Sequence, residues 1–179
     1  MVDLQKREPY SRVLSLTAYL LGYPDKAWWE GLDEVRSLAA ELQPRQASQV
    51  LTDFVDYVKE LGQKEYEELY VRTFDFSQNT NLYLTMHDRT DFGKQSNEML
   101  RYKEMFLQNG FDLEKELPDY LPAILELAAA VPKKESGRIL NFAKGKVELL
   151  RSRMIEAKLA YAFLLDVVLT ETAGLEVAS

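Results

Sequence analysis

The chain has no cysteine, and His87 is its one histidine among 179 residues. Disulfides, zinc–thiolate sites, iron–sulfur clusters and cysteine nucleophiles are therefore excluded, and so are histidine-rich metal sites. Glycine and proline are also scarce, with 8 and 6 residues, which favours helices over a turn-rich β architecture. We accordingly predict neither a metal site nor a cofactor.

Long apolar runs are missing as well. The N-terminus has no apolar core of the kind found in signal peptides, and the run at residues 159–165 is far shorter than the roughly 18 residues that suggest a membrane span. These features predict a soluble cytoplasmic protein without stable membrane association. The formal net charge of −7 argues against nucleic acid and anionic membranes as partners, and it is compatible with a basic partner.

The motifs that would indicate an enzyme are absent. There is no Gly-x-Ser-x-Gly elbow or phosphate-binding glycine loop, and Leu84 stands where a di-iron bundle would need Glu before His87. We therefore predict that the chain is not an enzyme. A helical enzyme using paired carboxylates stays as an alternative, because 29 acidic residues offer many pairings. For His87 we favour a structural histidine, hydrogen-bonded within its loop, over a pH switch or a ligand.

Helical periodicity runs through almost the whole chain, whose hydrophobic content of 46% supports a real core. Apolar residues three and four apart predict a first helix that ends at Gly22 and Pro24 and a second that begins after Asp25. Pro44 separates the second helix from the third, and Gly62 closes the third. The sequence predicts one compact all-α domain of seven to nine helices over residues 1–179.

The middle of the chain is less regular. A fourth helix is predicted to end near residues 74–75, and residues 77–81 form a polar loop. Residues 82–85 are strand-like in composition but have no partner strand, so we predict an irregular or short helical segment. A further helix should run from Asp91 or Phe92 to Asn109, with Gly110 at the position after its end. The residues predicted to face inwards on it are Phe92, Met99, Tyr102 and Phe106.

The C-terminal third is helical by pattern almost throughout. Pro132 should stop the preceding helix, and the periodicity then continues from residue 136 to residue 172. A single helix of that length would be unusual in a compact domain of this size. We therefore predict a bend near residues 156–158, and a disordered tail from about residue 174.

Residues 116–122 read Glu-Leu-Pro-Asp-Tyr-Leu-Pro and form a stiff hinge. Pro118 and Pro122 restrict their own φ angles and those of the preceding residues. Asp119 is predicted to be the N-cap of the following helix, with Pro122 inside its first turn. Spacing alone favours this capped helix over a recognition corner presenting Glu116, Asp119 and Tyr120.

Four segments together carry a family resemblance. They are Tyr-Glu-Glu-Leu-Tyr-Val-Arg-Thr-Phe-Asp-Phe at residues 66–76, Leu-Tyr-Leu-Thr-Met-His at 82–87, Asn-Gly-Phe at 109–111, and the hinge at 116–122. In this order they resemble the delta-subunit, NarJ-type assembly chaperones of respiratory nitrate reductase. These belong to the wider TorD/DmsD-like family of redox-enzyme maturation chaperones. The similar stretch runs from about residue 66 to residue 127.

The resemblance implies an assembly chaperone without a catalytic site. Such proteins bind the N-terminal peptide of the nitrate reductase catalytic (alpha) subunit and hold the apoenzyme for molybdenum cofactor insertion. A groove between residues 66–76 and 116–122 would suit a basic amphipathic helix. The family also implies a monomer or a domain-swapped dimer exchanging at the hinge. The residues assigned to client-peptide binding are Tyr70, Phe74, Asp75, Glu116, Pro118, Asp119 and Pro122.

The chain also departs from the family pattern. Met86 stands in place of a tyrosine, Thr90-Asp91 in place of Gly-Asp, and no Arg-Gly occurs around Gly93-Lys94. Residues 159–162 also lack the proline of the family's Ser-Pro-Tyr-Ala pattern. The departures after His87 keep a second client open, namely another molybdoenzyme with a twin-arginine signal, of the DMSO or TMAO reductase type.

Overall fold

A computed structural model describes residues 7–88, 91–113 and 116–178 of the chain. Within these ranges it contains eight α-helices and no strand, which confirms the predicted all-α domain. A π-helical turn, Val71–Asp75, continues the fourth helix, and a 3-10 turn, Leu84–His87, precedes the fifth. The helices are α1 Pro9–Leu21, α2 Lys26–Ala40, α3 Arg45–Leu61, α4 Gln63–Tyr70, α5 Phe92–Gln108, α6 Leu121–Ala130, α7 Lys133–Glu156 and α8 Tyr161–Ala178.

Helix α1 lies at the centre of the molecule. It packs most extensively on α6 and α8 and also contacts α2 and α3, while α7 runs along α8. Its side chains are buried on nearly every side, as expected of a helix that is hydrophobic all round. Across the described ranges, no helix combines the length and the apolar character that crossing a bilayer requires.

Several helix ends lie where single residues predicted them. The Asp25 carboxylate accepts a hydrogen bond of 2.9 Å from the backbone N–H of Trp28 and caps α2. Asp91 caps α5 in the same way. Gly62 and Gly110, with φ of 86° and 80°, end α3 and α5 in a backbone region that favours glycine. These boundaries are confirmed.

The predicted bend in the C-terminal third is a complete break between α7 and α8. Lys158 lies in the break with φ of 57°, and the chain reverses so that the two helices pack together. Disorder was predicted from about residue 174, and in the structure α8 continues to Ala178. Leu175 is buried, and its Cβ lies 3.5 Å from where a Cβ on Gly137 would stand. This contact holds the last turns of α8 on α7.

The amino-terminal end of α5 projects beyond the core. Tyr102 and Phe106 are buried as predicted, and the Tyr102 ring packs 5.0 Å from that of Phe142 on α7. Phe92 was predicted to face inwards, and this was wrong, since its side chain is 75% exposed. Helical spacing identifies a face of α5, but the buried residues on that face, Tyr102 and Phe106, lie in the second half of the helix. The departure at Thr90 lies outside the described residues.

Candidate functional site

A buried aromatic cluster holds the end of α4 on the core. Tyr66, Tyr70 and Phe74 pack against Tyr161 of α8, with ring centroids 6.3, 6.3 and 4.6 Å from its ring. The Tyr70 hydroxyl donates a hydrogen bond of 2.7 Å to the carbonyl of Leu21. Burial raises the pKa of Tyr66, Tyr70 and Tyr161, and their hydroxyls therefore stay neutral. The cluster is core, and it fixes the segment that follows it.

The π-helical turn separates buried from exposed side chains. Its wider loop is closed by a hydrogen bond of 3.1 Å from the Phe76 N–H to the Val71 carbonyl. Thr73 and Phe74 stay inside the protein, whereas Asp75 and Phe76 lie in solvent, with Phe76 83% exposed. Single π turns occur often at functional sites, and this one presents an acidic and an aromatic side chain side by side.

The segment after the polar loop pairs with the hinge. The Leu84 N–H donates to the Asp119 carbonyl at 3.0 Å, and the Leu121 N–H donates to the Leu82 carbonyl at 2.9 Å. These bonds form one antiparallel bridge. The prediction that residues 82–85 lack a pairing partner was therefore wrong, although the 3-10 turn agrees with the predicted short helical segment. We call residues 82–87 and 116–122, joined in this way, the latch.

Asp119 lies at the centre of the latch and is fully buried. Its Oδ2 accepts hydrogen bonds from the Thr85 N–H at 3.1 Å and from the Thr85 hydroxyl at 2.6 Å. The prediction that Asp119 caps the next helix was wrong. Tyr120 is the N-cap residue of α6 and gives no side-chain cap, because the Asp119 side chain is directed to the 3-10 turn instead.

The rim of the latch is formed by Tyr83 and Glu116. The Tyr83 hydroxyl donates to Glu116 Oε2 at 3.0 Å, and its ring centroid lies 4.8 Å from that of Tyr120. Burial and this hydrogen bond raise the pKa of Tyr83 to about 12, so the hydroxyl keeps its proton at neutral pH. Pro118 is half-buried. Pro122 is buried in the first turn of α6, where it was predicted.

His87 joins its own loop to α7. Its Nε2 lies 2.8 Å from the Asn81 carbonyl, and Arg153 hydrogen-bonds to its Nδ1. A guanidinium can only donate, so Nδ1 accepts and Nε2 carries the proton. The predicted structural histidine, hydrogen-bonded within its loop, is confirmed. The role of Arg153 was missed, because the two residues lie 66 positions apart.

An ion cluster lies beside His87. Lys146 on α7 contacts Asp88 at 2.6 Å and Glu98 of α5 at 3.2 Å, and all three side chains are largely buried. Burial alone would raise the pKa of Asp88, but the hydrogen bond and charge of Lys146, with the charge of Lys94, hold that pKa below its usual value. The described residues contain no group of side chains that could hold a metal ion.

Two open clefts meet at the exposed Phe76. The first, which we call the Phe92 cleft, has a volume of about 610 Å³ and carries Asp75 as its charged residue. It is lined by Asp75, Phe76, Ser77, Gln78, Asn81, Met86, Phe92 and Gln95. The second, the arginine cleft, has a volume of about 900 Å³ and shares Phe76, Ser77 and Gln78 with the first. Its other lining residues are Arg72, Thr73, Asn79, Thr80, Arg153, Glu156, Ala157 and Leu159.

A third cleft lies on the far side of the latch. This Leu117 cleft, of about 410 Å³, is formed by the end of α5 and the start of the hinge. It is lined by Met99, Lys103, Phe106, Leu107, Phe111, Asp112, Leu113, Glu116, Leu117 and Pro118. The structure therefore does not bring Asp75 and Glu116 into one groove. The rings of Tyr83 and Tyr120, tilted by 32° with centroids 4.8 Å apart, pack together beside Glu116.

The residues predicted to bind a client thus fall into two groups. Tyr70, Phe74, Asp119 and Pro122 are buried, whereas Asp75, Glu116 and Pro118 line open clefts. Sequence reasoning gave no functional weight to the exposed Phe76 and Phe92. Phe76 precedes the polar loop at residues 77–81 and Phe92 begins α5, but nothing local in the sequence shows that either side chain is exposed.

A family model described as nitrate reductase delta subunit matches residues 37–164, which is well over half of the chain. The chain belongs to the nitrate reductase delta subunit family. It is 35% identical over 156 residues to the probable nitrate reductase molybdenum cofactor assembly chaperone NarJ of Bacillus subtilis strain 168, covering 87% of this chain and 85% of that protein. The Escherichia coli K12 chaperone NarJ is 28% identical over 159 residues, with 87% and 67% covered.

A shorter match involves a larger protein. The nitrate reductase-like protein NarX of Mycobacterium tuberculosis H37Rv is 33% identical over 94 residues, which are 52% of this chain and 14% of that protein. The two relatives that match 87% of this chain are named as assembly chaperones. The resemblance inferred from the sequence is confirmed, and so is the predicted class, a chaperone and not an enzyme. The matched residues include the latch and all the residues that line the three clefts.

Proposed function

We propose that this delta-subunit family member binds the N-terminal segment of the nitrate reductase catalytic subunit in the Phe92 cleft. It would hold the apoenzyme there until the molybdenum cofactor is inserted. One observation carries the proposal: Phe76, Met86 and Phe92 expose 83, 51 and 75% of their side chains around one cleft. Large apolar side chains gathered in solvent around a cleft are typical of a partner-binding site.

The chemistry of the cleft suits an amphipathic helix with basic residues. Its apolar face would pack on Phe76 and Phe92, as helices do in hydrophobic grooves. An arginine on the flank of the helix could pair with Asp75, whose carboxylate accepts bidentate, charge-assisted hydrogen bonds. Asp75 lies at the end of the π-helical turn, next to the apolar residues that it would complement.

The buried residues named from the family pattern would then act by positioning. Tyr70 and Phe74 anchor the π-helical turn that presents Asp75. Asp119 and Pro122 belong to the latch, which fixes the 3-10 turn carrying Met86. Glu116 and Pro118 also belong to the latch, and they line the Leu117 cleft, which offers a second contact for a longer client.

A second client stays a candidate because of Met86. This residue departs from the family's tyrosine, and its half-exposed side chain lines the Phe92 cleft. The departure therefore falls in the surface that we propose for client binding, where it would alter specificity. A chaperone for another molybdoenzyme with a twin-arginine signal, of the DMSO or TMAO reductase type, is the alternative.

Calorimetric titration tests the proposal. The ligand is a peptide copying about the first fifteen residues of the nitrate reductase catalytic subunit from the same organism, enough for roughly four helical turns. We expect micromolar or tighter binding, weakened about tenfold or more by Phe92→Ala, because exposed aromatic anchors often dominate an interface. Phe163→Ala is the matched control, since Phe163 is 60% exposed on α8 and lines none of the three clefts.

The outcomes separate the candidates. Equal binding by the Phe92→Ala and Phe163→Ala variants would remove the Phe92 cleft from the client site. Absence of binding by the wild-type protein would reject the nitrate reductase segment as client. Twin-arginine signal peptides of DMSO and TMAO reductase type would then be titrated in the same way, and saturable binding there would establish the alternative.

A further inference from the structure

The two clefts that meet at Phe76 differ in charge. The Phe92 cleft has Asp75 as its charged lining residue, whereas the arginine cleft has Arg72, Arg153 and Glu156. One side of Phe76 is therefore net negative by one charge and the other is net positive by one. Although the overall charge of the protein is −7, two guanidinium groups line the largest of the three clefts.

Both guanidinium groups can bind an anion. Arg72 is exposed, and no carboxylate in residues 7–88, 91–113 and 116–178 forms an ion pair with it. Arg153 uses one N–H on His87, and a guanidinium has five. The contact with His87 fixes its position without neutralising its charge. Neighbouring Ser77 accepts a hydrogen bond from Asn79, which leaves its hydroxyl hydrogen as a further donor.

The two clefts also adjoin each other. Phe76, Ser77 and Gln78 line both of them, so a bound chain that crosses Phe76 touches both clefts. Consider a segment that covers Phe76 and Phe92 with its apolar face and pairs its basic group with Asp75. Its continuation past Phe76 would lie next to Arg72 and Arg153. Arginine recognises carboxylates through two parallel N–H···O bonds, which give direction as well as affinity.

We infer that the arginine cleft is a carboxylate-binding subsite for an acidic side chain of the client segment. The inference rests on the proposed function and extends it. The bound client segment would have opposite charges at its two ends. Its basic group would contact Asp75, its apolar residues Phe76, and its acidic group Arg72 and Arg153. Such charge complementarity fixes the orientation of a partner and rejects segments whose charges are reversed or missing.

Three peptides test the inference by calorimetry. Each contains the client segment described above, with two added glutamates at its carboxyl end, two at its amino end, or two glutamines at each end. They are titrated into the wild-type protein and into the variants Arg72→Gln, Arg153→Gln and Arg138→Gln. Arg138 is the matched control, because it is an exposed arginine of α7 that lines none of the three clefts.

We expect one of the glutamate peptides to bind the wild-type protein about tenfold more tightly than the glutamine peptide, as for a charge-assisted hydrogen bond. Arg72→Gln and Arg153→Gln should abolish this gain, and Arg138→Gln should keep it. Arg72 has no partner within the described ranges to lose, so its variant tests the subsite even where Arg153→Gln disturbs His87.

The other outcomes contradict either the carboxylate subsite alone or the proposed function as well. Equal affinities for the three peptides, or a glutamate gain that survives in both Arg72→Gln and Arg153→Gln, would overturn the carboxylate subsite and leave the proposed function standing. Failure of all three peptides to bind the wild-type protein would overturn the proposed function, and this inference with it.

Discussion

Asp119 shows how one side chain can organise a loop that lies far from it in sequence. Its Oδ2 accepts both hydrogen bonds from Thr85, while its buried Oδ1 has no partner within the described residues. A buried oxygen without a partner costs free energy. The stabilising contact of this carboxylate is therefore the one with Thr85, which fixes the latch. The local sequence, which is typical of a helix cap, does not reveal this role.

We predict that Asp119→Ala lowers the free energy of unfolding by about 2–3 kcal/mol, because it leaves the N–H and the hydroxyl of Thr85 unpaired in a buried place. Asp119→Asn keeps an accepting oxygen and should lose less. Asp25→Ala is the control, since Asp25 is a true cap whose removal costs about 1 kcal/mol. Urea unfolding measures all three, and an Asp119→Ala cost no larger than that of Asp25→Ala would contradict the latch.

At the scale of elements, the ends of helices can be predicted from sequence where the preference of a single residue sets them. Asp25, Gly62 and Gly110 set the ends of helices through a short carboxylate cap or a positive φ, and both preferences are local. The latch joins residues 34 positions apart, and the contact of His87 with Arg153 joins residues still further apart. No local pattern carries such pairings, so the sequence could not show that Asp75 and Glu116 line separate clefts.

The break between α7 and α8 gives an element-scale prediction. Lys158 adopts φ of 57° there, a left-handed conformation that costs a non-glycine residue about 1–2 kcal/mol. Lys158→Gly should therefore raise the free energy of unfolding by about 0.5–1 kcal/mol, after the greater flexibility of glycine in the unfolded chain is subtracted. Thermal and urea unfolding measure the change.

Lys103→Gly is the control for that substitution. Lys103 is exposed in the interior of α5, where glycine should lower the free energy of unfolding by about 1 kcal/mol. The two lysine variants are thus expected to shift stability in opposite directions. A loss of stability in both would show that the break tolerates Lys158 without strain.

At the scale of the whole molecule, the cluster of Asp88, Lys146 and Glu98 ties together three parts of the chain. Asp88 follows the 3-10 turn, Glu98 belongs to α5, and Lys146 lies on α7. The 3-10 turn and α5 also carry Met86 and Phe92. The cluster therefore stabilises the relative positions of the elements that form the Phe92 cleft, and its stabilisation depends on ionised side chains.

The stabilisation from Asp88 has a defined pH dependence. Since the pKa of Asp88 is lowered in the folded protein, its contribution is complete above the unfolded pKa of about 4 and is lost as the pH falls through the lower folded value. Glu171 behaves in the opposite way, because burial raises its pKa. Its charge destabilises the folded protein at neutral pH, and protonation at acid pH removes that penalty.

We predict that Asp88→Asn lowers the free energy of unfolding at pH 7 by about 1–3 kcal/mol, since it removes a charged acceptor from Lys146, and that the difference from wild type shrinks below about pH 4. Glu171→Gln should instead raise the free energy of unfolding at pH 7 and converge on wild type in acid. Urea unfolding of the three proteins between about pH 3 and pH 7 measures both differences. If the Asp88→Asn difference stayed constant over this range, the stabilisation could not come from the ionised carboxylate, and the packing of the 3-10 turn on α7 would have to account for it.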